Sequence, residues 1–201
     1  MILVELQYFP SINYFKNINS QDVIIDSNSF YVKKTYRNRS KIVGQNGFFH
    51  LIIPTIKNNT SKKYSDIKID YSQNWINQHL QSLQSSYGKT PYFIFYKDLL
   101  VKCLKSRHIF LFDLNYDLLT LLFKFLNFDN KIKKINGIVH NGLNFNDGRH
   151  LCNPVNDEKL FNNTKKTSYN NNFGKNFDMN ISILDLLFVK GPETGLFVNS
   201  I

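Results

Sequence analysis

Few residues in this chain combine a reactive side chain with a telling spacing, and Arg37 and Arg39 come first. They flank Asn38 in the stretch Tyr36-Arg37-Asn38-Arg39. In an extended stretch the two guanidiniums share one face, about 7 Å apart along the chain, and can bracket a phosphate or a carboxylate. An aromatic corner, Gln7-Tyr8-Phe9-Pro10, precedes them. Gln7, Asn38 and Asn46 have the amide groups to hydrogen-bond a sugar, and the rings of Tyr8 and Tyr14 can stack on one. Glu193 sits in the closing Gly191-Pro192-Glu193, where a helix N-terminus would hold its carboxylate ionised and make it a poor general base. Asp185 falls in Ser182-x-x-Asp185, which reads as a capping box with Asp where Glu or Gln is usual. His140, Asp147, His150 and Cys152 lie within thirteen positions, but their spacing matches no closed metal site, so no metal and no other cofactor is expected. No serine has an evident histidine partner, and the residues alone name no nucleophile–base pair.

These groups need elements to hold them. Ile2 to Leu6 is an apolar strand, which Phe9 closes because a residue before proline is driven to extended geometry. Pro10 suits a first helical position, and Ile12, Phe15 and Ile18 follow at helical spacing. Val23 to Ile25 is a second strand, and Phe30 to Val32 a short third. Gly44-Gln45-Asn46-Gly47 is a turn between Lys41–Val43 and Phe48–Ile53, so a hairpin is predicted there. Residues 57–65 read as a polar loop, and Ile67 and Ile69 alternate with charges as a half-buried strand. Three helices follow. The first is capped by Ser72 and stopped by Gly88; the second restarts at Thr90-Pro91; the third is capped by Asp113 and runs to Asn127. Cys103 lies in the second of these as a small core residue. Beyond Asp129 only Ile135 to Val139 reads as a strand, until the helix opened by Ser182 and ended by Gly191.

Length and composition bound the rest. A chain of 201 residues, 42% hydrophobic and 15% aromatic, can bury a sizeable core. It is read as one domain over residues 1–201, with 129–176 loop-rich. The fold class is α+β: a mixed sheet mainly from the N-terminal third, packed by helices from the C-terminal two thirds. No apolar run is long enough to span a membrane, no secretory signal is apparent, and two cysteines make no disulfide framework. A cytoplasmic protein is therefore expected. The net charge of +10 is scattered over single lysines in an Asn-, Ile- and Lys-rich background. It is read as drifted surface charge, so a nucleic-acid partner is not expected.

Taken together, several motifs resemble the WbqC-like protein family. They are Tyr8-Phe9-Pro10 with Tyr14-Phe15, Tyr36-Arg37-Asn38-Arg39, and Asn46-Gly47 before Leu51 to Pro54. Trp75 with His79, Ser86-Tyr87 and Pro91-Tyr92-Phe93 follow, then Asn180-x-Ser182-Ile183-x-Asp185-Leu186-Leu187-Phe188-x-x-Gly191-Pro192-Glu193. The likeness covers residues 1–128 and 177–197. It implies a cytosolic step in lipopolysaccharide O-antigen or other cell-surface polysaccharide synthesis, with a nucleotide-linked amino sugar as substrate and acyl or aminoacyl transfer as the reaction. Many members carry His-Gln before the aromatic corner where this chain has Leu6-Gln7; were that His a general base, this chain would lack it. On these residues Arg37 and Arg39 form the anion clamp. The alternative is a non-catalytic module that binds a nucleotide sugar, an RNA or a protein.

Overall fold

A computed structural model describes residues 1–56, 63–137, 145–152 and 179–201. Apolar strand β1 (Ile2–Val4) leads through helix α1 (Ile12–Ile18) to β2 (Val23–Asp26), and the two strands pair in parallel. A parallel pair needs such a crossover, and α1 supplies it by burying Ile12, Tyr14, Phe15 and Ile18. Two later strands complete this sheet, β5 (Ile132–Ile135) beside β2 and β6 (Asn146–Asp147) beside β1. Its order is β5-β2-β1-β6, parallel throughout. Strands β3 (Arg39–Gly44) and β4 (Gly47–Ile52) form a separate antiparallel hairpin. Helices α2 (Trp75–Tyr87), α3 (Phe93–Lys105), α4 (Leu111–Leu126), α5 (Ile183–Lys190) and α6 (Thr194–Ser200) pack around both sheets. The fold is α+β, as expected. Four of the six strands, β1 to β4, come from the N-terminal third as expected, and β5 and β6 join from residues 132–147.

Local expectations fare unevenly. The hairpin forms at the predicted place, with the positive φ of its turn on Gly47 (121°) and not on Asn46. Phe9 does not close a strand: β1 ends at Val4, and Phe9 has φ 43°, in the left-handed region. That conformation costs about 1–3 kcal/mol for a bulky residue and persists only where neighbours over-determine it. Here Ser40 donates to the Phe9 carbonyl (2.9 Å), Tyr8 N–H donates to the Tyr36 carbonyl (2.9 Å), and both rings are buried. The first helix begins at Ile12 with Ser11 as its cap, two residues after Pro10. Phe30 and the pair Lys68–Ile69 make isolated bridges instead of strands. Asn74, Tyr92 and Phe110 take the positions before α2, α3 and α4, where Ser72, Thr90 and Asp113 were expected to start them. The predicted strand at 135–139 is shifted to 132–135, and its end at 138–139 lies outside the described residues, as do 57–62 of the polar loop.

The two ends of the chain meet. Ile12 N–H donates to the Ile181 carbonyl (3.0 Å), Ile183 N–H to that of Pro10 (2.9 Å), and Ser182 N–H to that of Lys41 on β3 (2.7 Å). At the far end of α5, Gly191 has φ 58°, and the Tyr92 ring lies against its Cα. An added Cβ would fall 2.4 Å from that ring. Gly191→Ala is therefore expected to cost roughly 1–3 kcal/mol in urea unfolding. An unchanged midpoint would show that Tyr92 does not close this corner.

Candidate functional site

The carboxyl ends of parallel strands are where open α/β sheets commonly present binding groups. In this chain the residue after β1 is Glu5, a carboxylate inside an otherwise apolar run, and it is buried. Its Oε1 lies 3.2 Å from an Arg37 terminal nitrogen, and Ser29 donates to Oε2 (2.9 Å). Arg37 is itself buried and also donates to the Thr35 hydroxyl (3.1 Å). Asn115, on the buried face of α4, donates to the Arg37 carbonyl (2.6 Å), and its amide lies 2.6 Å from the Tyr64 hydroxyl. The Tyr64 hydroxyl in turn donates to the Leu6 carbonyl (3.1 Å). This polar layer joins β1, the 35–38 turn, the short helix at Tyr64–Asp66 and α4.

The paired-arginine clamp therefore needs correction in one respect. Residues 36–38 are a turn and not a strand, so Arg37 and Arg39 do not alternate on one extended stretch. The charge of Arg37 is met by Glu5. Arg39 opens β3, is half-buried, and has no carboxylate partner among the described residues. Its Nε is buried without an acceptor there. Lys41 and His50 share the neighbourhood: burial and then the charges of Arg39 and Lys41 push the His50 imidazole below its ordinary pKa.

The other expected site residues are dispersed. Gln7 is buried and donates to the Leu151 carbonyl (2.8 Å), leaving its Oε1 buried without a partner among the described residues. Asn38 is buried and donates to the Ile53 carbonyl (3.0 Å). The Tyr14 ring is packed into the core. The Tyr8 hydroxyl lies 2.9 Å from His79 Nδ1, and His79 also bonds the Ile52 carbonyl. The carbonyl requires the proton on Nε2, so Nδ1 accepts from Tyr8. Burial drives the His79 pKa down to about 4 and keeps the ring neutral. Asn46 is exposed at the tip of the hairpin. Glu193 is exposed before α6, about 12 Å of helix beyond Ser182.

Among the described residues, buried hydroxyls meet a base at Tyr8 with His79, Ser29 with Glu5 and Tyr87 with Asp185, and these contacts are internal to the core. Burial pushes the half-buried Cys103 thiol up to about 12, which rules it out as a thiolate nucleophile at neutral pH. Among the described residues no cluster of His, Cys, Asp and Glu could hold a metal. His140 lies outside them, as does the Cys152 side chain. Asp147 instead pairs with Arg149 through Nε (2.9 Å) and the terminal nitrogen (2.6 Å), and that guanidinium holds its pKa low.

The family model of the WbqC-like protein family matches residues 7–171. That span takes in the aromatic bend, both arginines and the hairpin. The chain belongs to the WbqC-like protein family. The Asn180 to Glu193 motif lies beyond the matched residues, yet the hydrogen bonds of Ile181 to Ile183 tie it to Pro10, Ile12 and Lys41. No curated protein and no solved structure matches the chain. No helix among the described residues is long and apolar enough to cross a membrane.

Asp185 is the buried group that sequence reasoning misjudged. Ser182 caps α5 through Leu184 N–H (3.3 Å), but its own N–H donates to the Lys41 carbonyl and not to Asp185, so the capping box is not closed. Burial raises the Asp185 pKa to about 7, opposed by the nearby Tyr87 hydroxyl. A carboxyl raised from its unfolded value of 3.8 costs stability as pH climbs from about 4 to 7, because the native state keeps its proton longer. His79, lowered from 6.5 to about 4, costs stability in the opposite direction, as pH falls through that window. Each effect is on the order of 3–4 kcal/mol, so in the parent they largely offset one another. The stability gain of Asp185→Asn over the parent should therefore grow from pH 4 to 7 and level off above it. A difference independent of pH in urea titrations would contradict this assignment.

Proposed function

We propose that the protein binds a nucleotide-linked amino sugar in the cytoplasm and serves lipopolysaccharide O-antigen or related cell-surface polysaccharide synthesis. Family membership supports the setting. The observation that carries the binding site is Arg39, a half-buried guanidinium with no carboxylate partner and a buried, unpaired Nε among the described residues. A cation left in that state is suited to an anion from outside the chain, and the two oxygens of a phosphate match its fork. Arg37 then has a positioning role: paired with Glu5, it fixes the turn that delivers Arg39 to the start of β3.

The reaction we assign is acyl or aminoacyl transfer to the amine of the sugar. With His79 held between Tyr8 and Ile52, and Glu5 tied to Arg37 and Ser29, neither contact offers an accessible base. The donor would therefore be an activated acyl group: the amine forms a C–N bond to its carbonyl carbon, the bond to the leaving group breaks, and the proton lost from nitrogen goes to that group or to water.

Thermal shift with uridine- and thymidine-diphosphate amino sugars tests this reading. The parent should gain several degrees, and Arg39→Ala should lose most of that gain while unfolding normally without ligand. No gain in the parent, or an equal gain in Arg39→Ala, would overturn it.

A further inference from the structure

Residues 27–65 contain eight Lys and Arg and no Asp or Glu, between Asp26 and Asp66. Most of the +10 net charge of the chain is therefore written into one segment, and that segment contains the β3–β4 hairpin. Register places Arg39 opposite Ile52, Lys41 opposite His50, and Val43 opposite Phe48. Directly opposed residues, and those two apart on one strand, share a face. One face of the hairpin thus carries Phe48 with the buried Val43, then Lys41 with His50, then Arg39 with Ile52, in steps of about 7 Å. The opposite face buries Ile42 and Leu51 against the core.

This ladder is exposed at its aromatic end. Phe48 and Phe49 are among the exposed large hydrophobics, and the Lys41 ammonium sits 4.4 Å from the centre of the Phe48 ring. Both residues line a groove of about 310 Å³ at the hairpin tip, together with Gln45, Asn46 and residues Ser85 and Ser86 of α2. That size is at the lower end of small-molecule pockets. Its walls carry two aromatic side chains and the exposed Asn46 amide, a set that matches a planar heterocycle with donors and acceptors on its edge.

We infer that the hairpin binds a nucleoside diphosphate, its base in the tip groove against Phe48 and its phosphates running past Lys41 toward Arg39. The charge favours this occupant: among the hairpin's own residues, this face holds Arg39, Lys41 and His50 and no Asp or Glu. The spacing favours it too, since Lys41 lies about one 7 Å step from the ring and Arg39 two. The inference rests on the nucleotide-sugar reading and adds where the nucleotide half sits. Asn46 then acts at the base end of the ligand and Arg39 at the phosphate end.

Isothermal titration of the full chain with inorganic pyrophosphate and with uridine, thymidine and guanosine diphosphates separates the two ideas. At least one nucleoside diphosphate should bind ten-fold or more tightly than pyrophosphate. Phe48→Ala and Asn46→Ala, both at exposed positions, should remove that advantage, and Asn46→Ala, which leaves Lys41 on its ring, should leave pyrophosphate binding unchanged. Both ligands should raise the pKa of His50, read from its imidazole proton resonances. Pyrophosphate binding that depends on Arg39, with no added affinity from any base, would overturn the groove assignment and leave the broader reading standing. An advantage unaffected by either variant would overturn it equally. If neither ligand binds, both fall. Tighter binding of a short single-stranded RNA, lost steeply with added salt, would replace the nucleoside diphosphate with an oligonucleotide.

Discussion

A buried carboxylate at the end of an apolar strand has to be answered, and in this chain Arg37 answers Glu5. Removing two charges from water costs several kcal/mol per ion, which only close geometry and further hydrogen bonds offset. Ser29 and Thr35 supply two of those bonds, while Asn115 and Tyr64 secure the backbone on either side. The result is a polar knot joining the parallel sheet, the turn before the hairpin, and α4. Once Arg37 is committed inward, the next arginine along the chain begins β3 with its charge unmet by any described carboxylate. The functional proposal follows from this division of labour between two neighbouring guanidiniums.

Around that knot the frame is apolar and aromatic. Phe9 is held at a left-handed φ by packing and by Ser40, so the bend after β1 turns sharply enough to start α1. The C-terminal motif then closes on the same bend through Ile181 to Ile183 and touches β3 at Lys41. Thus the hairpin is supported on one side by the segment that began the chain and on the other by the segment that ends it. Asp185 sits buried in this junction beside the Tyr87 hydroxyl, and His79 sits neutral against Tyr8. Both hold protonation states that burial dictates.

Much of this was legible in residue order. The hairpin followed from Gly44 to Gly47, the βαβ start from two apolar runs around a helical spacing, and α5 from Ser182 and Gly191. The misses share a cause: tertiary contacts outweighed local preference. Phe9 takes a conformation that the following proline disfavours, because core contacts hold it there. Glu5 was passed over, although a lone carboxylate within Ile2 to Leu6 signals a buried partner, and Asn115 likewise interrupts the apolar face of Leu111, Leu114 and Leu118. Strands β5 and β6 are short, carry little periodicity, and take their places by pairing with β2 and β1. Whole-chain composition also hid the segregation of charge, since a net +10 looks diffuse until Asp26 and Asp66 are seen to bound an acid-free segment.

The most direct examination of this account is a double-mutant cycle between Glu5→Gln and Arg37→Met, read by urea unfolding and by pyrophosphate affinity. The account predicts that each single change is strongly destabilising, that the double variant recovers about 2 kcal/mol or more of the summed loss, and that it binds pyrophosphate like the parent. Additive losses, or a folded double variant that no longer binds the anion, would contradict it and would return Arg37 to the ligand site.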